Sequence, residues 1–269
     1  MKARQHPASR IPYPVSHILY PVSHILYPVS SFPYLSSYIP NLVSCVPNMY
    51  RIIKRFIDLL IATVALILLS PIFIPVIIVL LLTGEHEVFY FQKRIGYKNN
   101  PFQIWKFATM VKNSPNIGTG EITLRNDPRV TAFGKFLRMS KINELPQIIN
   151  VLKGDMSIVG PRPLMEISFN LYSQSVKDRI YNTKPGITGI GSLIFRDEEK
   201  ILSEAPDPRA MYAAIYPYKA SLELWYLSKQ SVYTDSMIIF LTAWSILSPQ
   251  HNLTQKIFKD LPVRPQLIS

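Results

Sequence analysis

The sequence predicts a mixed α/β (α+β) protein: an apolar helix-break-helix on its N-terminal side, then a small domain with one short β-hairpin and several helices. Three observations carry this. Residues 59–83, LLIATVALILLSPIFIPVIIVLLLT, run for 25 positions without a charge. Two short aromatic, partly alternating runs, EVFYFQ and FQIWKF, are separated by GYKNNP. Beyond them, apolar residues return at helical spacing in RVTAFGKFLRMS and again after Asn143. With 269 residues, 48% of them hydrophobic, the chain can bury a core of one or two domains.

Residues 1–48 stand apart. From Tyr13 to Ser30 a seven-residue unit, YPVSHIL, repeats with a proline in each copy, so no regular helix or coiled coil runs through it. Two readings stand: an extended aromatic tail touching a membrane, or a translated DNA repeat upstream of a start at Met49. The fold is therefore sought from residue 49 onward.

Residues 49–84 are expected to be a membrane anchor. A straight helix over the uncharged stretch would reach roughly 37 Å, enough for a bilayer core of about 30 Å. Pro71 and Pro75 each remove a backbone donor, and Ser70 has a hydroxyl to offer a freed carbonyl. Both flanks are basic, with Lys54 and Arg55 before the stretch and Lys93, Arg94 and Lys98 after it. By the positive-inside tendency both ends belong on the cytoplasmic side. A re-entrant hairpin bent at Ser70-Pro71 satisfies both, and a proline-kinked single span is the alternative.

Composition narrows the chemistry. The net charge of +12, from 29 basic and 17 acidic residues, favours anionic partners such as nucleotides or phospholipid headgroups. It also admits nucleic acid, against which the uncharged stretch argues. A single cysteine, Cys45, excludes a disulfide framework, and His6, His17, His24, His86 and His251 have no metal-ligand spacing.

The aromatic runs read as a hairpin turning near Asn99-Asn100, carrying Lys93, Arg94, Lys98 and Lys106 either as a solvated face or toward headgroups or a phosphorylated substrate. Residues 112–128 read as a loop, and Val130, Phe133, Phe136 and Leu137 mark a helical face. In KINELPQIINVLKGDMSIVGPRP, Asn143 reads as the N-cap of a short helix from Glu144 to about Lys153, closed by Gly154. Its N-terminus suits phosphate or a carboxylate. Pro161 and Pro163 hold Arg162 on a stiff backbone suited to bidentate phosphate capture. Asp155 reads as a turn former.

In order from about residue 50 to 192, KRFIDLL with its SP break, QKRIG, PFQIWKFATM, ITLRNDPRVTAFGKFLR, NELPQIINVLKGDMSIVGPRPL and KPGITG resemble the bacterial sugar transferases, the monotopic phosphoglycosyl transferases. The resemblance implies a re-entrant membrane helix and a catalytic domain at the cytoplasmic face of the bacterial inner membrane. It implies transfer of a sugar phosphate from a UDP-sugar to polyprenol (undecaprenyl) phosphate, with Mg²⁺ and release of UMP, and leaves a homodimer open. Members typically carry an Asp-Glu pair, with the aspartate as nucleophile, where this chain has Asn143-Glu144. An amide forms no stable phosphoryl adduct, so Glu144 takes that role, transfer is direct, or the chain is an inactive scaffold. Many members also have arginine in place of Ala108. On this reading Glu144 is nucleophile or Mg²⁺ ligand, Asn143 orients the site, Arg162, Arg138 and Lys106 hold substrate phosphate, and Asp155 is a weaker metal candidate.

Residues 85–192 thus form the expected catalytic core, with the glycines of Lys184–Ser192 near substrate or in a tight turn. Residues 193–269 form a helical extension: an acidic-start helix, a proline linker, a helix rich in Tyr and Trp, and an apolar segment, Thr234–Leu247, that is either interfacial or core.

Overall fold

The computed structural model describes residues 48–114, 127–248 and 253–265. The N-terminal repeat and most of the loop expected over 112–128 lie outside the described residues. Helix α1 (Asn48–Leu82) leads into strands β1 (Phe89–Ile95) and β2 (Pro101–Phe107). Helices α2 (Ala132–Met139) and α3 (Gln147–Lys153) precede β3 (Ser157–Val159), and α4 (Glu166–Phe169) and α5 (Gln174–Ile180) precede β4 (Gly186–Thr188). The rest is helical: α6 (Ile190–Ile194), α7 (Glu198–Glu204), α8 (Pro208–Ser228), α9 (Val232–Leu247) and α10 (Thr254–Ile257). The mixed helix-and-strand class is as the sequence predicts.

The hairpin forms where the aromatic runs place it. Phe89 lies opposite Phe107 and Ile95 opposite Pro101. The connection is a short 3₁₀ turn in which Lys98 and Asn99 take left-handed φ of 54° and 60°, a conformation that asparagine tolerates better than most residues.

KPGITG holds more than a turn, because β4 pairs in parallel with β3, Ser157 with Gly186 and Val159 with Thr188. The crossing is tight: a Cβ on Gly186 would lie 2.1 Å from the Gly160 nitrogen. Glycine is there for backbone contact.

Residues on both sides of Ser192 share one core. Val159, Leu164, Ile180 and Ile190 pack in the same cluster as Ile215, Leu222, Trp225 and Ile238 of α8 and α9. Helix α9 answers both readings of its apolar segment: Thr234, Asp235, Ile238 and Leu241 are buried, while Tyr233, Phe240, Ile246 and Leu247 are exposed.

Helix α1 is continuous over 35 residues, with Pro71 and Pro75 inside it. The break expected at Ser70-Pro71 therefore does not interrupt the helix. Proline at 71 cannot donate to the Ile67 carbonyl, and the Ser70 hydroxyl donates to that oxygen instead, at 2.7 Å, replacing the lost bond. The helix is held to the domain along its whole length. Near its start Tyr50 and Lys54 bond Asp235 of α9, and Arg55 donates to the Val151 and Leu152 carbonyls at the end of α3. Asp58 accepts from the Ile158 nitrogen at 3.0 Å. Ala62 packs with Ile104, Val151 and Met156, and Val76 and Leu80 pack with Phe107 and Leu137. The opposite face, including Phe56, Leu60, Ile67, Leu68, Ile74 and Leu82, is exposed. Among the described residues α1 is the one helix long and apolar enough to cross a membrane.

Candidate active site

The site is built on a displaced helix start. Residues Ile142–Glu144 form a 3₁₀ turn entered through Lys141 at φ 59°, and α3 begins only at Gln147, with Pro146 before it. Asn143 is therefore not an N-cap, and the phosphate seat expected at this helix N-terminus is not formed there. The turn instead buries Asn143, which is 7% exposed, and sets Glu144 beside two cations. Glu144 Oε1 accepts from Lys106 Nζ at 3.3 Å and from Arg162 Nη2 at 3.4 Å. Asn143 Oδ1 is buried and has no hydrogen-bond partner among the described residues.

The Pro-Arg-Pro turn is clamped by more than its prolines. The Tyr181 hydroxyl donates to the Arg162 carbonyl and accepts from the Leu164 nitrogen, at 2.8 and 2.9 Å. Arg94 donates to the Pro163 carbonyl at 3.2 Å, and the Pro161 carbonyl accepts from the Gly186 nitrogen at 2.9 Å. With its backbone fixed, Arg162 leaves its side chain 43% exposed beside Glu144, so it can meet an anion at small entropic cost.

Asn143, Glu144, Lys106, Arg162 and Arg138 all line one cavity of about 800 Å³. Within it the guanidinium of Arg138 is occupied by Glu199 at 2.8 Å. Asp155 does not join them. It accepts from Asn150 at 3.3 Å, lies 3.8 Å from Lys153 and is absent from the lining, so it belongs to the turn after α3. Among the described residues no group of three or more His, Cys, Asp and Glu is arranged to hold a metal. The oxygen at the cations is that of Glu144; the orphaned Oδ1 belongs to its neighbour Asn143, which lines the same cavity.

Burial works against ionised Glu144, yet Lys106, Arg162 and Lys141 outweigh it and hold the carboxyl well below the usual range. The cations thus favour Glu144 as a carboxylate. Burial lowers Lys106 to about 8, against the pull of Glu144. Burial also lowers Arg94, and the charge of Arg162 adds to the fall.

A family model described as "Bacterial sugar transferase" matches residues 49–249. The chain belongs to the bacterial sugar transferase family. It is 35% identical over 197 residues to the UDP-glucose:undecaprenyl-phosphate glucose-1-phosphate transferase of Escherichia coli (strain K12), covering 72% of this chain and 40% of the relative. To the UDP-N-acetylgalactosamine-undecaprenyl-phosphate N-acetylgalactosaminephosphotransferase of Aeromonas hydrophila it is 33% identical over 201 residues, covering 74% of this chain and 44% of the relative. To the exopolysaccharide production protein ExoY of Rhizobium meliloti (strain 1021) it is 30% identical over 203 residues, covering 70% of this chain and 83% of the relative. The chain thus spans less than half the length of the first two relatives.

Residues of α7 and α8 that the sequence did not single out also reach the cavity. Glu198, Tyr212, Tyr216, Lys219 and Glu223 line the same cavity as the cations. For those on α8 the one signal is the density of Tyr in YAAIYPYKASLELWY, which reads equally as a buried helix, and Glu198 stands only in the acidic start of α7. In the sequence Arg94 stands out only as one basic residue among several on the hairpin and the flank of the apolar stretch.

Lys106 sets a pH dependence. It is charged below about pH 8 and neutral above, so a diphosphate seated beside it would lose one cation as pH rises. Affinity for UDP, followed by calorimetry without divalent metal, is expected to fall by roughly tenfold between pH 7 and pH 9, the limit set by one linked proton. Lys106→Arg is expected to flatten that profile. An unchanged wild-type profile would remove Lys106 from the phosphate site.

Proposed function

We propose that this chain transfers a sugar 1-phosphate from a UDP-sugar to a polyprenol phosphate of the undecaprenol class, releasing UMP, as the first step of a surface polysaccharide such as O-antigen, capsule or exopolysaccharide. The observation that carries the reading is the meeting of Arg162 and Lys106 on Glu144 in one large cavity, in a domain packed on a helix with a long exposed apolar face. A diphosphate needs such cations, and a polyprenol acceptor needs the membrane. The names of the relatives point to the same donor and acceptor classes.

The seating we propose is monotopic and re-entrant at the bacterial inner membrane. Tyr50 to Asp58, at one end of α1, and Val76 and Leu80, at the other, pack on the same domain. A span would part these contacts, whereas an arrangement with both ends on one side keeps them and leaves the exposed face to lipid. The basic flanks favour the cytoplasmic side for the domain.

Arg162 and Lys106 bind and orient the diphosphate, and Arg94 supports Arg162 by holding the Pro163 carbonyl. Asn143 holds a polar atom toward the reacting phosphate. A carboxamide gives no acyl phosphate, so a covalent relay at this cluster has Glu144 as its carboxylate, and without one the acceptor phosphate attacks directly. Glu144, with Asn143 Oδ1 beside it in the chain, would hold a Mg²⁺ ion bound mainly through substrate phosphates, and such an ion would supply charge neutralisation there.

The test is UMP release from a panel of UDP-sugars by the full chain in lipid nanodiscs with polyprenol phosphate and Mg²⁺, beside Asn143→Asp. Release by wild type is expected with at least one neutral UDP-sugar. Silence of wild type with activity in Asn143→Asp would mean that the amide has disabled an intact site and the chain acts as a scaffold.

A further inference from the structure

The cavity has a second wall that phosphate chemistry leaves unused. It is the inward face of α8 with Glu198 of α7. Tyr212, Tyr216 and Lys219 follow one another at about one helical turn, and Lys219 Nζ lies 5.1 Å from the Tyr216 and Phe195 ring centres and 5.7 Å from that of Tyr212. Its charge is taken by Glu198 at 2.6 Å. The Tyr212 hydroxyl is shared with Ser168 and Tyr216, at 2.8 Å each.

One group on this wall is left over. Glu223 is 4% exposed, its Oε2 has no hydrogen-bond partner among the described residues, and it lines the cavity. Its Oε1 accepts only a long bond, 3.5 Å, from the Arg162 nitrogen. The fold makes room for it: a Cβ on Gly191 would lie 2.5 Å from Oε1. Such a carboxyl, buried and half-satisfied, costs stability unless something completes it.

Arg162 fixes where that something sits. Its guanidinium meets Glu144 at the cationic end and its main-chain nitrogen meets Glu223. One arginine side chain therefore separates the diphosphate seat from the orphaned carboxyl. In a UDP-sugar the sugar ring is bonded directly to the second phosphate, so a diphosphate on Arg162 brings the ring to this wall. Aromatic rings suit the C–H faces of a pyranose, and a buried carboxyl suits its hydroxyls.

We propose that Glu223, with Tyr212 and Tyr216 of α8, forms the subsite for the sugar ring of the donor and selects a neutral sugar by accepting or donating a hydrogen bond at one ring hydroxyl. This rests on the transferase reading above. Burial raises Glu223 to about 8, with Arg162 and Lys219 acting against the rise, so near neutral pH the group is mostly a carboxylic acid, able to donate as well as accept. Tyr172 and Tyr181, the other ionisable groups close to it, are themselves raised by burial and stay neutral. The lysine on this wall is engaged, so a uronic acid carboxylate would enter beside Glu223 with no free partner.

The experiment compares binding of UDP, UDP-glucose, UDP-N-acetylgalactosamine and UDP-glucuronate to the full chain in nanodiscs, without acceptor. Wild type is expected to bind one of the neutral UDP-sugars more tightly than UDP, and UDP-glucuronate no more tightly than UDP. Glu223→Ala is expected to weaken the preferred UDP-sugar by about tenfold or more, the loss of one buried hydrogen bond, while UDP changes by less than roughly twofold. Glu223→Gln, of the same size, is expected to fall between the two and carries the test should the alanine variant not fold. An equal loss for UDP and UDP-sugar would assign Glu223 to holding the Arg162 backbone and overturn the subsite while leaving the transferase reading standing. A wild type that binds no uridine nucleotide would overturn both.

Discussion

Glu144→Gln is expected to reduce UMP release by at least roughly 100-fold, the scale of losing one electrostatic element aimed at the reacting phosphates. The variant keeps the size of the side chain and removes its charge. Lys106 and Arg162, now held together by one carboxylate oxygen at 3.3 and 3.4 Å, would face each other across a neutral amide. Two consequences separate in the kinetics. Without the carboxylate the cluster is more positive, so UDP in the absence of divalent metal binds as tightly as before or more tightly. The chemical step is lost all the same, because no ionised carboxylate remains to act as nucleophile or to share a metal with the substrate phosphates. The expected signature is therefore a fall in kcat without a rise in the donor KM, the mark of an interaction made in the transition state. Loss of UDP affinity in parallel with rate would mean that Glu144 only organises the two cations. A rate near that of wild type would take Glu144 out of the chemistry altogether.

Arg162 and the hairpin of Lys106 were legible in stretches with their own local grammar, whereas Glu144 stood out through the family resemblance. Pro161 and Pro163 announce the rigid arginine, and the aromatic alternation on either side of Tyr97–Asn100 announces the hairpin that carries Lys106. The exchange of hydroxyl for amide at Ile67, through Ser70, was also readable, since it involves residues three apart on one helix. What could not be read was the start of α3, where Lys141 enters the left-handed region and a 3₁₀ turn takes the place of the first helical turn. Neither could the β3–β4 pair, since strands of three residues are too short to show a period of two. The second wall of the cavity was hidden for a different reason. Glu223 lies 61 positions from Arg162 in the chain, and a glutamate in a helix crowded with tyrosines looks like an ordinary amphipathic residue until the tertiary packing buries it.

Asp235→Ala is expected to cost about 3–5 kcal/mol of stability, because it strands a partner charge that is nearly out of solvent. Asp235 gathers three donors: Tyr50 and Lys54 of α1 on Oδ2, at 2.8 and 2.7 Å, and Tyr226 of α8 on Oδ1, at 2.8 Å. The Lys54 and Asp235 side chains are each 11% exposed, so the loss is not screened as a surface pair would be. For a chain of this size the change corresponds to a fall in Tm of about 10 °C in detergent or nanodiscs. Asp235→Asn, which keeps an acceptor for the tyrosines, is expected to lose less. Lys54→Met combined with Asp235→Leu is expected to recover part of the loss, since replacing both members of a buried pair with apolar groups removes the stranded charge. The outcome reaches beyond stability. These bonds tie the start of α1 to α9, and together with the Val76 and Leu80 contacts they put both ends of the apolar helix on one domain. A Tm unmoved by Asp235→Ala would mean that the start of α1 does not dock there in a lipid environment. The single proline-kinked span would then regain the ground that the re-entrant seating takes from it.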